Sequence, residues 1–360
     1  MGIFIFMLKR IMQILMRKIL VFFTAFFLSL AGARSLFAAS DYGTTAANFL
    51  KIPVAPVPAG MGQAYTAMYG TDSVLYNPGA LAIMNYSSIS GAHEQYILDM
   101  THEYLAANFR FKFGTVAFSY NSFSSGKFQG YDDDGGIERP SDKISADFNS
   151  MALTFAKSWP YFPEDKGMLD PMPLTPFWTR MEPVEEFRSK TSRFSVGATV
   201  KRISENLQET SASTFAFDAG AMLILPGHWQ FGASFLNNGG KIKHYSKAAS
   251  LPSQMRLGVA KDFHSKNDMM IFTFDVDGIK DYDSDYYMAA GTEVNIAKVF
   301  QVRAGYNTKQ DVLDNFSAGA GMSLDIFGED GFFNGARIDY AYGNYGSLGT
   351  AHRIGFQVVW

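Results

Sequence analysis

The sequence predicts an all-β fold: a transmembrane antiparallel β-barrel of about 14 strands with an N-terminal hatch segment in its lumen. Three observations carry that expectation. The last nine residues, His352 to Trp360, alternate strictly, with Ile354, Phe356, Val358 and Trp360 on one face and Arg353, Gly355 and Gln357 on the other. Several longer segments repeat the device. Finally, no stretch beyond Ser40 approaches a transmembrane helix, although 47% of the residues are hydrophobic and 15% aromatic. In lipid only helices and closed barrels satisfy every backbone group, so an alternating apolar row without a helix points to a barrel.

Taken in order, the chain opens with Lys9, Arg10, Arg17 and Lys18, an apolar core from Ile19 to Leu30, and then small residues, which reads as a secretory signal peptide over 1–39. Cleavage fits either Ala31-Gly32-Ala33 or the bond after Ala39, and Met7, Met12 or Met16 offer alternative starts. An uncleaved anchor helix is the competing reading; the core is shorter than the roughly 20 residues needed to span.

Residues 40–86 do not alternate. Gly60-Met61-Gly62 and Asn77-Pro78-Gly79 punctuate small-residue stretches compatible with one or two short helices, and their apolar content predicts burial as a hatch in the lumen. There Asn77 is expected to hydrogen-bond lumen groups while Pro78 fixes the turn.

Residues 87–360 read as the barrel, with strands near 87–98, 102–112, 115–123, 145–158, 190–203, 211–224, 228–238, 252–263, 267–277, 284–296, 299–308, 315–326, 334–344 and 350–360. Within them Phe316, Ala318, Ala320, Met322, Leu324 and Ile326 oppose Ser317, Gly319, Gly321, Ser323 and Asp325, and Phe194, Val196, Ala198 and Val200 oppose Ser195, Gly197, Thr199 and Lys201. Short links at Lys112–Gly114, Pro226–His228 and Asn295–Val299 are expected on the periplasmic side; longer polar links at Ser124–Ser145, Asn238–Leu251 and Asp277–Asp285 are expected outside. Trp159 to Lys190 breaks that rule: it is either a periplasmic excursion or the sign of a missed strand near Lys127 to Tyr131.

The run from Phe49 to Ala82 resembles the N-terminal signature of PorV/PorQ-like outer-membrane proteins, relatives of the FadL-type long-chain fatty-acid transporters. Asn77-Pro78-Gly79-Ala80-Leu81 stands where the family shows an Asn-Pro-Ala-Gly-Leu-like motif, with the third and fourth positions exchanged. The runs from Leu251 to Gly258, Val302 to Tyr306 and Arg337 to Phe356 are similar to family strand signatures, while 124–190 has no counterpart. The resemblance implies a 14-stranded hatch-plugged barrel in the outer membrane that takes up long-chain fatty acids or other hydrophobic compounds. Its PorV-like branch implies the alternative, a scaffold or shuttle for a protein-secretion system. Partners expected on these readings are hydrophobic small molecules, outer-membrane lipid, the barrel-assembly machinery and, for the scaffold, secretion-system proteins.

Other chemistry finds little support. A net charge of -3 gives no footprint for nucleic acid, and the absence of cysteine removes disulfides, thiolate metal sites and an N-terminal lipid anchor. His93-Glu94 and His102-Glu103 lack the second His of a zinc-protease helix. Asp281, Asp283 and Asp285 begin like a calcium loop but lack its Gly and Glu, and with Asp132-Asp133-Asp134-Gly135-Gly136 they read as acidic external loops. No serine stands in a nucleophile motif, so no catalytic residue, metal or cofactor is expected, and no enzyme. Arg337, Asp339 and Arg353 fall on the inward rows of the last strands. They are expected to pair or to contact the hatch, or, for Arg337 or Arg353, to hold a ligand carboxylate. Phe356, Val358 and Trp360 are expected to form the C-terminal insertion signal.

Overall fold

The computed structural model describes residues 43–84, 86–133, 138–159, 192–208, 210–244, 247–265, 269–309, 315–324, 335–346 and 349–360. The signal-peptide reading and all but the first residue of the Trp159–Lys190 link lie outside the described residues.

Eighteen strands are described: β1 Ser88–Gln95, β2 Thr101–Phe111, β3 Gly114–Ser124, β4 Phe128–Asp133, β5 Glu138–Ile144, β6 Ala146–Trp159, β7 Arg193–Leu207, β8 Thr210–Leu225, β9 Trp229–Gly239, β10 Lys241–His244, β11 Lys247–Ser250, β12 Gln254–His264, β13 Met270–Asp281, β14 Tyr286–Ile296, β15 Phe300–Asn307, β16 Phe316–Leu324, β17 Gly335–Asn344 and β18 Thr350–Val359. Fourteen of them close a barrel in the order β1-β18-β17-β16-β15-β14-β13-β12-β9-β8-β7-β6-β3-β2. Every neighbouring pair is antiparallel, and β18 closes on β1 from Ser88↔Val359 to Gln95↔His352. Among the described residues no helix is long and apolar enough to cross a membrane. The strands do the crossing.

Alternation has the physical consequence expected of it. Along β18, Ile354 and Phe356 are 54% and 51% exposed, whereas Arg353 and Gln357 are 2% and 9% exposed. The outward row continues round the barrel through Leu105, Met151, Leu153, Val200, Phe217, Val276 and Val302. An apolar surface of that extent has lipid as its solvent. Where β1 and β18 meet, Ser87 and Trp360 exchange two backbone hydrogen bonds of 3.0 Å. That rim, the terminal rim, carries exposed Phe109, Phe111, Phe113, Trp159, Trp229 and Phe300. The Lys261 ammonium lies 4.2 Å from the Trp229 ring, the arrangement of an aromatic girdle at a membrane–water interface.

Two expectations need correction. The stretch Lys127 to Tyr131 is not a missed barrel strand: β4 pairs with β5 in a hairpin at the opposite, distal rim. The link from Trp159 to Arg193 therefore joins paired strands at the terminal rim without altering the strand count. Nor is Asp277–Asp285 a long loop. β13 continues through Asp281, leaving a turn from Tyr282 to Asp285, and Asp277, Asp281 and Asp283 are at most 4% exposed. Their polarity serves the lumen side rather than solvent. Of the other acidic run, Asp132 and Asp133 end β4, and 134–137 lie outside the described residues.

Candidate functional site

Between Gly43 and Tyr86 the chain makes no barrel strand; from Val54 to Met84 it is almost wholly buried and bonded to inward-facing strand residues. It comprises a 3₁₀ turn at Asn48–Lys51, one short helix, α1 (Pro56–Gly60), and 3₁₀ turns at Thr71–Leu75 and Pro78–Ile83. Prolines start α1 and the last turn, where their missing N–H costs nothing. Asn77 caps the last turn by accepting from the Gly79 N–H at 3.0 Å.

The segment lies directly against strand backbone because the wall is glycine where they meet. A Cβ on Gly305 would overlap the Gly62 nitrogen, and one on Gly220 would overlap the Asn77 side chain. Gly62 itself has φ +65, a left-handed conformation that also suits glycine. These inward glycines look in sequence like small members of a polar row. In the structure they are the seats of the lumenal segment.

Side chains from the wall satisfy the segment's loose carbonyls. Arg193 donates to Ile83 O at 2.9 Å and Ala82 O at 2.8 Å, Ser195 to Gly79 O at 2.8 Å, and Ser234 to Tyr76 O at 2.6 Å. Asn77 donates to Thr66 O at 2.9 Å and to Ala221 O at 3.0 Å. Gly60 accepts from Ser317 at 3.3 Å and Gly62 from Asn307 at 3.1 Å, while Met61 is fully buried.

The densest anchor is Arg256 with Asp277, 1% and 0% exposed. Arg256 donates to Thr66 Oγ1 at 2.9 Å, Gln254 Oε1 at 3.0 Å, Asp277 Oδ2 at 2.9 Å and the Gln63 carbonyl. Asp277 Oδ2 also accepts the Tyr65 and Thr66 N–H groups at 3.1 Å and the Thr66 hydroxyl at 2.6 Å. Neither residue was singled out from sequence. The available signal was the inward row Gln254, Arg256, Gly258, inside a run noted only for its resemblance.

The charges that were singled out divide. Arg353 reaches Pro53 O at 2.5 Å and pairs with buried Glu94 at 2.5 Å; Glu94 also contacts His102 at 3.2 Å. His102 and Glu94 thus form a strand-to-strand network, with no helix for a zinc-protease pattern. Asp339 joins Arg337 and Arg303 at 2.7 Å each, and Arg303 pairs with Glu293 at 2.5 Å. Arg337, unlike Arg353, lines a cavity of about 200 Å³ below the segment at the terminal rim, with Met68, Tyr69, Gln301 and Gln357.

Towards the distal rim an apolar cluster fills part of the lumen. Phe49, Phe123, Ile203, Ile242 and Leu251 are buried together, with Leu50, Ile52, Tyr96, Met100 and Phe148 packed on them. A polar latch stands beside this cluster. Asp283 accepts from Thr45 Oγ1 at 2.5 Å and pairs with Lys51 at 2.9 Å. Burial alone would raise the Asp283 carboxyl, but the Thr45 hydroxyl and Lys51 ammonium outweigh it and hold the group below the usual carboxylate range. A depressed acid contributes stability above its unfolded pKa, about 3.9, and loses it as pH falls through the lower folded value. Pepsin cleavage at Phe49–Leu50 is therefore expected to accelerate only below about pH 4, after correction for pepsin's own pH profile. In Asp283→Asn it should be fast throughout the acid range; equal protection of both proteins would contradict the latch.

No protein-family model and no curated protein sequence matches the chain. Solved structures do match its fold. The toluene transporter TodX of Pseudomonas putida superposes with a TM-score of 0.52 at 11% identity, covering 85% of this chain and 96% of that one. A TodX monoaromatic hydrocarbon channel carrying the deltaS2S3 mutation gives 0.50 at 10% identity, covering 85% and 97%. At such identity the likeness is one of fold, and it does not single out the PorV/PorQ branch. A closed 14-strand barrel with this lipid belt is an outer-membrane fold, and the outer membrane is where the chain resides.

Proposed function

We propose that the chain is an outer-membrane channel for hydrophobic small molecules, with the segment over 43–86 acting as its hatch. The observation that carries this reading is the apolar cluster towards the distal rim in which Phe49, Leu50 and Ile52 of the hatch pack on Phe123, Ile203 and Leu251. A water-filled porin lines its interior with polar groups, whereas a channel for apolar cargo needs a greasy site beside its barrier. The fold shared with hydrocarbon channels is compatible with that role. Among the described residues no feature of the lumen favours the secretion scaffold.

Long-chain fatty acids are the finer reading. On that reading a carboxylate would bind in the terminal-rim cavity beside Arg337, which lines it while pairing with Asp339, and not at Arg353, which lies outside it and is engaged by Glu94 and the Pro53 carbonyl. The test is binding of labelled oleate and of toluene to purified, lipid-reconstituted protein. Saturable binding of either is expected, with at least a tenfold loss in Ile203→Asn, which puts an amide into the cluster. A loss confined to oleate in Arg337→Gln would support the fatty-acid reading. Absence of saturable binding of both ligands would overturn the channel proposal.

A further inference from the structure

Three side chains that the transport reading does not use meet at the terminal rim. His228 is on the β8–β9 turn, and Asp262 and His264 are on the last turns of alternation of β12. One ligand atom from each lies within 4.8 Å of the others, and the two imidazole centroids are 4.4 Å apart. Gly227 and His228 have φ +81 and +62, so a tight turn with both central residues left-handed sets the direction of the His228 side chain. Asp262 is fixed from behind: Oδ1 accepts from Thr273 at 2.8 Å and Oδ2 from Gln230 at 2.8 Å.

We propose that His228, Asp262 and His264 form a site for a divalent transition metal of the zinc class. Two imidazoles and a carboxylate are the donor set borderline ions prefer over magnesium or calcium, which favour oxygen ligands. Zinc bound at ~2.0–2.2 Å holds its donors roughly 3–4 Å apart, a spacing close to that of these three donors, which lie within 4.8 Å of one another. The Thr273 and Gln230 contacts orient the carboxylate as second-layer partners of a metal ligand do. All three residues line the cavity of about 200 Å³, which supplies an entry path and leaves a remaining coordination position for water. An ion there ties the β8–β9 turn to β12 at the mouth of the lumen. Sequence alone hides the cluster, because His228, on the β8–β9 turn, and His264, at the end of β12, are far apart in the chain and match no spacing motif.

The test uses the full chain without a histidine tag, purified in detergent, stripped with chelator and titrated with zinc chloride. Binding of one zinc per chain is expected, weakened at least tenfold in His228→Ala and in His264→Ala and undiminished by millimolar magnesium. Heat-modifiable migration on gels verifies that each variant is folded. His93, His102, His244 and His352 remain in both variants, so zinc binding that persists unchanged there would overturn the proposal. Should a variant fail to fold, cobalt substitution of the wild-type chain decides the matter. Visible d–d bands of a nitrogen- and oxygen-ligated ion at one equivalent support the site, and their absence refutes it.

Discussion

Deleting residues 356–360 is expected to abolish the assembled barrel. The deletion removes the pairs Gly91↔Phe356, Ser90↔Gln357, Ile89↔Val358 and Ser88↔Val359, together with the double bond pair between Ser87 and Trp360. It also strips the terminal-rim half of β17, where Gly335 pairs with Val359 and Ile338 with Phe356. Two strand edges would then face hydrocarbon, where each unsatisfied backbone group costs several kcal/mol. Several such groups exceed the whole stability of a typical domain, about 5–15 kcal/mol. The outward side chains are lost too: Phe356 is 51% exposed, and the Trp360 ring lies 6.0 Å from that of Phe109 across the seam. Gels of outer-membrane fractions should show no heat-modifiable form of the truncated chain. A normal heat-modifiable band would refute the closure argument and, with it, the expected role of Phe356, Val358 and Trp360 as the insertion signal.

The barrel was legible because lipid imposes a simple rule on half of its residues. Outward positions must be apolar, so period-two alternation marks each strand in place, as in Phe316 to Leu324 against Ser317 to Ser323. Inward positions obey no such rule. Asp277, Asp281 and Asp283 look like solvated loop residues, because nothing local reveals that Arg256, Lys309 and Lys51 arrive from distant segments to pair with them. For the same reason Arg353 could be placed on the lumen face, but its partner, the carbonyl of Pro53, lies 300 residues away. The glycines of the wall carry a usable signal only when read jointly with the Gly60-Met61-Gly62 and Asn77-Pro78-Gly79 turns that they seat. The metal-type cluster required the register of β9 and β12, in which Lys261 lies opposite Trp229, before its members became neighbours.

Replacing Arg256 by alanine is expected to unseat the lumenal segment in a barrel that still assembles. The guanidinium bridges Thr66, Gln63, Gln254 and Asp277, and its plane lies 5.0 Å from the Tyr76 ring, so several contacts between wall and segment end at once. Its removal leaves the Asp277 carboxylate buried and uncompensated, and breaking a buried pair by removing one partner costs about 3–5 kcal/mol. The barrel ladder of β12 with β9 and β13 is backbone-bonded and does not depend on that side chain. The loss therefore falls on the segment. A chain without cysteine makes the readout clean. With Ala64→Cys as the sole thiol at a fully buried position, maleimide should label the folded parent slowly and the Arg256→Ala form rapidly. Arg256→Lys should be intermediate, since an ammonium is a point charge that cannot span the donors of a planar fork. Adding Asp277→Asn to Arg256→Ala should recover part of the protection, because it removes the orphaned charge even though it restores no contact. Equal labelling of parent and Arg256→Ala would mean that the glycine seats and the Arg193 and Arg353 contacts hold the segment without this pair.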